Sequence, residues 1–180
     1  MRYILGLFLI VFCHSVFAVP PYVERSIKDL RAIDEKIKRK AAFSLSSYFT
    51  DNGPGSSDPK IIDENIDLFY LALKDPITAR SITDIFGARH INLGNGNYYL
   101  YLDKARPETK KKVLPIILEN LNSTDKGLAK NSADALINVW HCQYEKVIRT
   151  RANNGRQAGE SEFAFKYVLK TLDKRCASKP

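Results

Sequence analysis

The chain has 180 residues, 44% of them apolar and 27% charged, with nine Gly and eight Pro. That composition supports one domain with a real core and excludes a disordered or collagen-like chain. A net charge of +8 is compatible with an acidic protein, an anionic lipid or polysaccharide, or nucleic acid as partner, and it selects none of them.

Residues 1–18 read as an export signal. Arg2 gives a positive start, Tyr3 to Phe12 is an apolar run broken only by Gly6, and Val16-Phe17-Ala18 supplies a cleavage site. The run is too short to span a hydrocarbon core of about 30 Å, and no stop-transfer segment follows it. An uncleaved N-terminal anchor is the alternative; a lipid-modified Cys13 is disfavoured by the bulky Phe12 before it. Cleavage after Ala18 removes Arg2 and Cys13, leaving 27 bases against 20 acids, a net charge of +7, and one pair of cysteines. In an oxidising compartment Cys142 and Cys176 are then expected to bond, adding roughly 2–4 kcal/mol by restricting the unfolded chain. Two buried free thiols are the alternative. Residues 19–180 form a single domain.

The remaining chain is mainly helical in pattern. Apolar residues recur at helical spacing from Tyr22 to Phe49, with no Pro or Gly to mark an interruption, so residues 22–45 could form one long helix. A stretch dense in turn formers follows from Asp51 to Pro59. Helical spacing resumes from Ile61 to Leu73, and Asp75-Pro76 turns into a helix from Ile77 to Phe86 that Gly87 stops. Asn92 to Asn97 is a turn, and Tyr98-Tyr99-Leu100-Tyr101-Leu102 has the aromatic content of a strand. Pro107 opens another helix, and a further one is expected from Thr124 to Arg151. Arg151 to Gly159 reads as loop, and a last helix runs from Glu160 to Cys176.

Aligning the chain on Asp34, Asp75 and Asp125 uncovers an internal repeat. Leu30, Leu71 and Leu121 lie four residues before; Ile27, Leu68 and Leu118 lie seven before. Ala41, Ile82 and Ser132 come seven after, Ser44, Ile85 and Ala135 ten after, and Leu45, Phe86 and Leu136 eleven after. The pattern describes a helical hairpin whose aspartate caps the second helix and whose small residues let helices approach closely. One hairpin cannot bury both of its apolar faces, so copies are expected to stack.

Val113-Leu114-Pro115-Ile116-Ile117-Leu118 followed by Leu121, Asp125, Leu128, Ser132 and Ala135-Leu136 resembles the HEAT-type helical repeat, as does Leu71, Asp75-Pro76, Arg80, Ile85-Phe86-Gly87. The resemblance covers about two-thirds of the chain after the signal. It implies an all-α solenoid of stacked antiparallel hairpins, with a short Tyr-rich insertion and a C-terminal capping helix, that binds macromolecules and catalyses nothing. Five residues after each aspartate stands a base: Arg39, Arg80 and Lys130. Two readings stay open for them, a structural ladder pairing with aspartates of neighbouring repeats and a ligand-facing basic strip.

Little in the chain points to chemistry. His90 reads as a turn residue, and His141 and Cys142, as helix neighbours, point about 100° apart and make no nucleophile–base pair. HExxH, CxxC, GxSxG and P-loop motifs are all missing from the sequence. Asp63, Glu64 and Asp67 read as a solvated helix face rather than an acid/base pair, and Asp103 and Glu108 have no pattern around them. Asn122-Ser123-Thr124 is a glycosylation sequon of the kind that arises by chance. No catalytic, metal-binding or cofactor-binding residue is expected, and no cofactor.

The strongest functional signal is Tyr98, Tyr99 and Tyr101, because Tyr offers a large contact area at low entropic cost. The same alternation could equally pack a hairpin on the helices; Trp140 reads as core. The expectation is a periplasmic or secreted protein that binds another protein, such as a toxin or secreted effector that it blocks as an immunity protein. Nucleic acid is not an expected partner, and no transmembrane segment is expected beyond the signal. The alternative is a binder of anionic polymer or membrane surface through Arg39, Arg80, Lys130 and the Lys110-Lys111-Lys112 run.

Overall fold

The computed structural model describes residues 19–50, 59–87, 90–91, 98–99, 101–157 and 163–176. The expected export signal, all but Pro59 of the turn expected from Asp51 to Pro59, the turn expected from Asn92 to Asn97, and Glu160 lie outside these residues. Helix dominates what is described. In chain order the elements are α1 (Pro21–Asp29), α2 (Glu35–Thr50), α3 (Lys60–Glu64), α4 (Ile66–Lys74), α5 (Ala79–Gly87), β1 (His90–Ile91), β2 (Tyr98–Tyr99), α6 (Tyr101–Lys104), α7 (Pro107–Asn120), α8 (Lys126–Trp140), a 3₁₀ turn (His141–Tyr144), α9 (Glu145–Gln157) and α10 (Phe163–Cys176). The two short strands pair antiparallel, His90 opposite Tyr99 and Ile91 opposite Tyr98. Among the described residues no helix is long and apolar enough to cross a membrane.

Local chemistry accounts for the helix starts. Pro21 and Pro107 open α1 and α7, where a missing N–H costs nothing. Asp34 accepts the amides of Lys36 and Ile37 at 2.7 and 3.1 Å, and Asp125 accepts those of Gly127 and Leu128 at 2.8 and 3.1 Å. Asp75 does the same for Ile77 at 2.9 Å. The three aspartates of the repeat therefore make the same turn, each satisfying amides that the helix itself leaves orphaned.

Chain order pairs α1 with α2, α4 with α5, α7 with α8 and α9 with α10. Within these pairs the helices pack on each other, and α2, α5, α8 and α10 then pack side by side in that order. Hydrogen bonds fix their direction. Lys38 meets Asp75 and Ser46 meets Asp84 between α2 and α5. Asn131 bonds the Arg80 carbonyl, and Asn138 the Gly87 carbonyl, between α5 and α8. Arg175 reaches Asn138 at the far end of α8. Between α2 and α5 and between α5 and α8 early residues meet early ones and late residues meet late ones, so these three helices run the same way, and Arg175 brings the C-terminal end of α10 beside that of α8. On the other layer α4 and α7 also run together, joined by Asp67 to Lys112 and by Asn120 to the Leu73 carbonyl, while Asp63 of α3 bonds Thr109 at the start of α7.

One continuous core fills the space between the layers. Ala41, Ile82 and Ser132 are buried, as are Leu45, Phe86 and Leu136, so the repeat positions seven and eleven after each aspartate all face inward. A run of edge-to-face rings, Tyr22–Tyr48–Phe49–Phe69–Phe86, links the first two hairpins at centroid separations of 5.1 to 6.3 Å. Ring pairs of this kind add about 0.5–1.5 kcal/mol each beyond their burial.

Several boundaries differ from the sequence reading. The chain breaks at 30–34, so residues 22–45 are two helices; the Asp34 turn does there what Pro or Gly does elsewhere. The Ile61–Leu73 run is broken at Asn65, whose side chain bonds back to the Ile61 carbonyl. Tyr101 starts a short helix instead of extending a strand. The long helix expected to reach Arg151 stops at Trp140, and residues 151–157 are helix, not loop. Leu71 is exposed although Leu30 and Leu121 are buried. The cause is the turn: α1 and α7 end five residues before their aspartates, whereas α4 runs to Lys74 and leaves Leu71 on the solvent side, with Phe69, Ala72 and Leu73 turned in.

Candidate functional site

A polar pocket of about 310 Å³ lies between α5, α8 and α10, lined by Asp84, Lys130, Asn131, Asp134, Asn138 and Thr171. Asp84 is held by the Ser46 hydroxyl at 3.0 Å, Asp134 by Lys130 at 2.7 Å, and Asn138 spans from the Gly87 carbonyl to Arg175. The floor is set by a close helix approach at Gly87. A Cβ there would lie 2.9 Å from the Asn131 carbonyl oxygen and 3.2 Å from the Ala135 nitrogen, both backbone atoms.

The three repeat bases take three different positions. Arg39 is exposed on α2, and the base that bridges hairpins is its neighbour Lys38, whose ammonium lies 2.5 Å from Asp75. Burial pushes the Asp75 carboxyl up, but the Lys38 ammonium and the Ile77 amide outweigh it and hold it below the ordinary carboxylate range. The Arg80 guanidinium lies over Gly127, two residues after Asp125, where a side chain would collide with it at 2.4 Å. Lys130 is drawn into its own helix by Asp134. Lys38–Asp75 is thus one ion pair between α2 and the turn before α5, made one residue away from the position the sequence spacing marked.

Tyr98 and Tyr99 form β2, and Tyr101 opens α6; their side chains lie outside the described residues. The placement of the hairpin follows from the chain. β1 starts three residues after Gly87, which lines the pocket, so at most about 10 Å of extended chain separates them. β1 therefore begins within reach of the pocket end of α5.

One acid departs from the expectation: Asp63 is not on a solvated face, its side chain being 6% exposed, and it accepts the Thr109 hydroxyl at 2.6 Å and the Arg106 amide at 3.2 Å. It caps α7, whose own N-cap residue, Arg106, supplies no side-chain bond. Asp67 and Glu64 do lie outward, paired with Lys112 and Lys60. At the C-terminus, Cys142 and Cys176 are bonded, 34 residues apart, tying the 3₁₀ turn to the end of α10. Arg149 bridges Asp173 and Glu145 beside them, which raises its pKa above the usual arginine value. Trp140 is half-buried against the core and edge-on to Tyr144.

The chain matches no family model, and no curated protein or solved structure matches it. Among the described residues no group of three or more His, Cys, Asp or Glu side chains is placed to hold a metal ion.

Proposed function

We propose that this chain is a HEAT-like stack of helical hairpins that is exported and acts by binding another protein rather than by catalysis. The carrying observation is the side-by-side packing of α2, α5, α8 and α10, with a polar pocket between the last three. A surface of that kind, built from successive repeats, is the usual recognition surface of stacked-hairpin proteins. The Tyr98–Tyr101 segment supplies the aromatic anchors. The Cys142–Cys176 bond supports an oxidising compartment, periplasmic or extracellular. One concrete form of the reading is an immunity protein that blocks a toxin delivered to that compartment.

The polyanion reading is weaker on this geometry. Asp84 and Asp134 share the pocket with Lys130, and Lys130 and Lys112 are each held by a carboxylate. Salt separates the two. Residues 19–180, purified oxidised and used as bait, should retain a stoichiometric protein through high salt, whereas polyanions elute steeply as salt rises. Tyr98→Ala, Tyr99→Ala and Tyr101→Ala should weaken retention while leaving the thermal melt in place. Unchanged affinity in all three sinks the role of the hairpin.

A further inference from the structure

We infer that the outer face of the first hairpin is a docking groove for a partner's helix bearing an apolar ridge flanked by carboxylates. The positions six, nine and ten residues after the repeat aspartate set this face. After Asp125 they are Asn131, Asp134 and Ala135, and all three abut Gly87 of the preceding α5. After Asp75 the ninth is Asp84, which bonds Ser46 of the preceding α2. After Asp34 they are Lys40, Phe43 and Ser44, and no described helix precedes α1 to cover them.

What is left open has the character of an unfilled helix socket. A groove of about 400 Å³ runs between α1 and α2, lined by Tyr22, Arg25, Asp29, Ile37, Lys40 and Ser44, with the small Ser26 and Ala41 beneath. Tyr22, Ile37 and Phe43 are 52%, 46% and 67% exposed. Ser44 is half-buried, whereas its counterparts Ile85 and Ala135 are fully buried beside a neighbouring helix. Small residues between apolar walls admit the ridge of a helix at close range. Exposed apolar side chains grouped in this way mark an interaction site rather than scattered surface.

Charge selects the occupant. Arg25 and Lys40 line the groove against one acid, Asp29, and Lys36 is exposed one turn before Lys40 on α2. Two copies meeting face to face would bring these bases together. A head-to-tail stack fares no better, because the outward side of α10 carries exposed Lys166, Lys170 and Lys174 along one stripe. A helix with Glu or Asp on both flanks complements the groove and gains steering from it.

The probe is a synthetic helical peptide of about 15 residues with a Leu ridge flanked by Glu, compared with one flanked by Lys. Titrated against residues 19–180, the Glu peptide should bind saturably and the Lys peptide should not. Ser44→Trp, which fills the furrow, and Lys40→Glu, which reverses an exposed charge without touching the core, should each weaken binding about tenfold or more. Absence of saturable binding up to about 1 mM overturns the inference, as does equal affinity for the Lys peptide. So does binding unmoved by both variants. Sedimentation showing a dimer that Ser44→Trp abolishes would assign the groove to a second copy and overturn it as well. This groove shares no lining residue with the pocket between α5, α8 and α10, so either can fail without the other.

Discussion

Asp63→Ala should be among the most damaging single changes to a polar residue in this fold. The carboxylate is nearly excluded from solvent and performs two tasks at the start of α7: it accepts the Arg106 amide and the hydroxyl of Thr109, itself buried. Loss of a cap costs about 1 kcal/mol, and a buried hydroxyl left unpaired adds about 1–3 kcal/mol, for a total of about 2–4 kcal/mol. At about 2–4 °C per kcal/mol for a chain of this size, the melting temperature should fall by roughly 4–16 °C. Urea titration should show a lower midpoint with an unchanged slope. Asp67→Ala is the internal control: that carboxylate is 79% exposed, and its pair with Lys112 is worth about 0.5 kcal/mol. Adding Thr109→Val to Asp63→Ala should recover about 1 kcal/mol or more, because neither partner is then left unpaired. A loss below about 1 kcal/mol for Asp63→Ala, or equal losses at 63 and 67, would refute the capping role.

Three other outcomes follow from the same geometry. Cys142→Ser with Cys176→Ser should cost about 3–4 kcal/mol, the loop-closure value for a separation of 34 residues, and a loss under about 1 kcal/mol by urea titration would contradict it. Gly87→Ala should destabilise by about 1–3 kcal/mol because its new methyl meets backbone of α8, while Gly127→Ala should be near neutral because only the flexible Arg80 side chain must move; equal effects would refute the distinction. The Asp75 carboxyl is held below its ordinary value of 3.8, so its contribution is complete above that value and is lost as pH falls through the folded-state value. The stability gap between the protein and its Asp75→Asn variant should therefore stay constant from about pH 7 to 5 and narrow in acid; a gap that widens in acid would be inconsistent with the Lys38–Asp75 pair.

Much of this fold is legible in the chain because its determinants are local. The aspartate turns, the prolines at α1 and α7, and the inward positions seven and eleven residues after each aspartate are all properties of short segments. The parity of cysteines left after the signal anticipates the Cys142–Cys176 bond. What sequence spacing did not reveal depends on distant neighbours. Asp63 looks like one of three acids on a helix, and only the arrival of Arg106 and Thr109, more than 40 residues later, makes it a buried cap. Leu71 follows the repeat in sequence but not in burial, because a shorter turn ends α4 at a different phase. The basic strip reads as continuous because Asp84 and Asp134 belong to positions that a search for repeated bases passes over. The Tyr98–Tyr101 side chains lie outside the described residues, and their role rests on the binding experiments.

Recognition through the second helices can be read by hydrogen exchange of residues 19–180, alone and with a bound protein retained at high salt. Added protection is expected in residues 79–87, 98–101 and 126–138, around the pocket and the Tyr hairpin. Protection confined to α4 and α7, on the opposite layer, would contradict it.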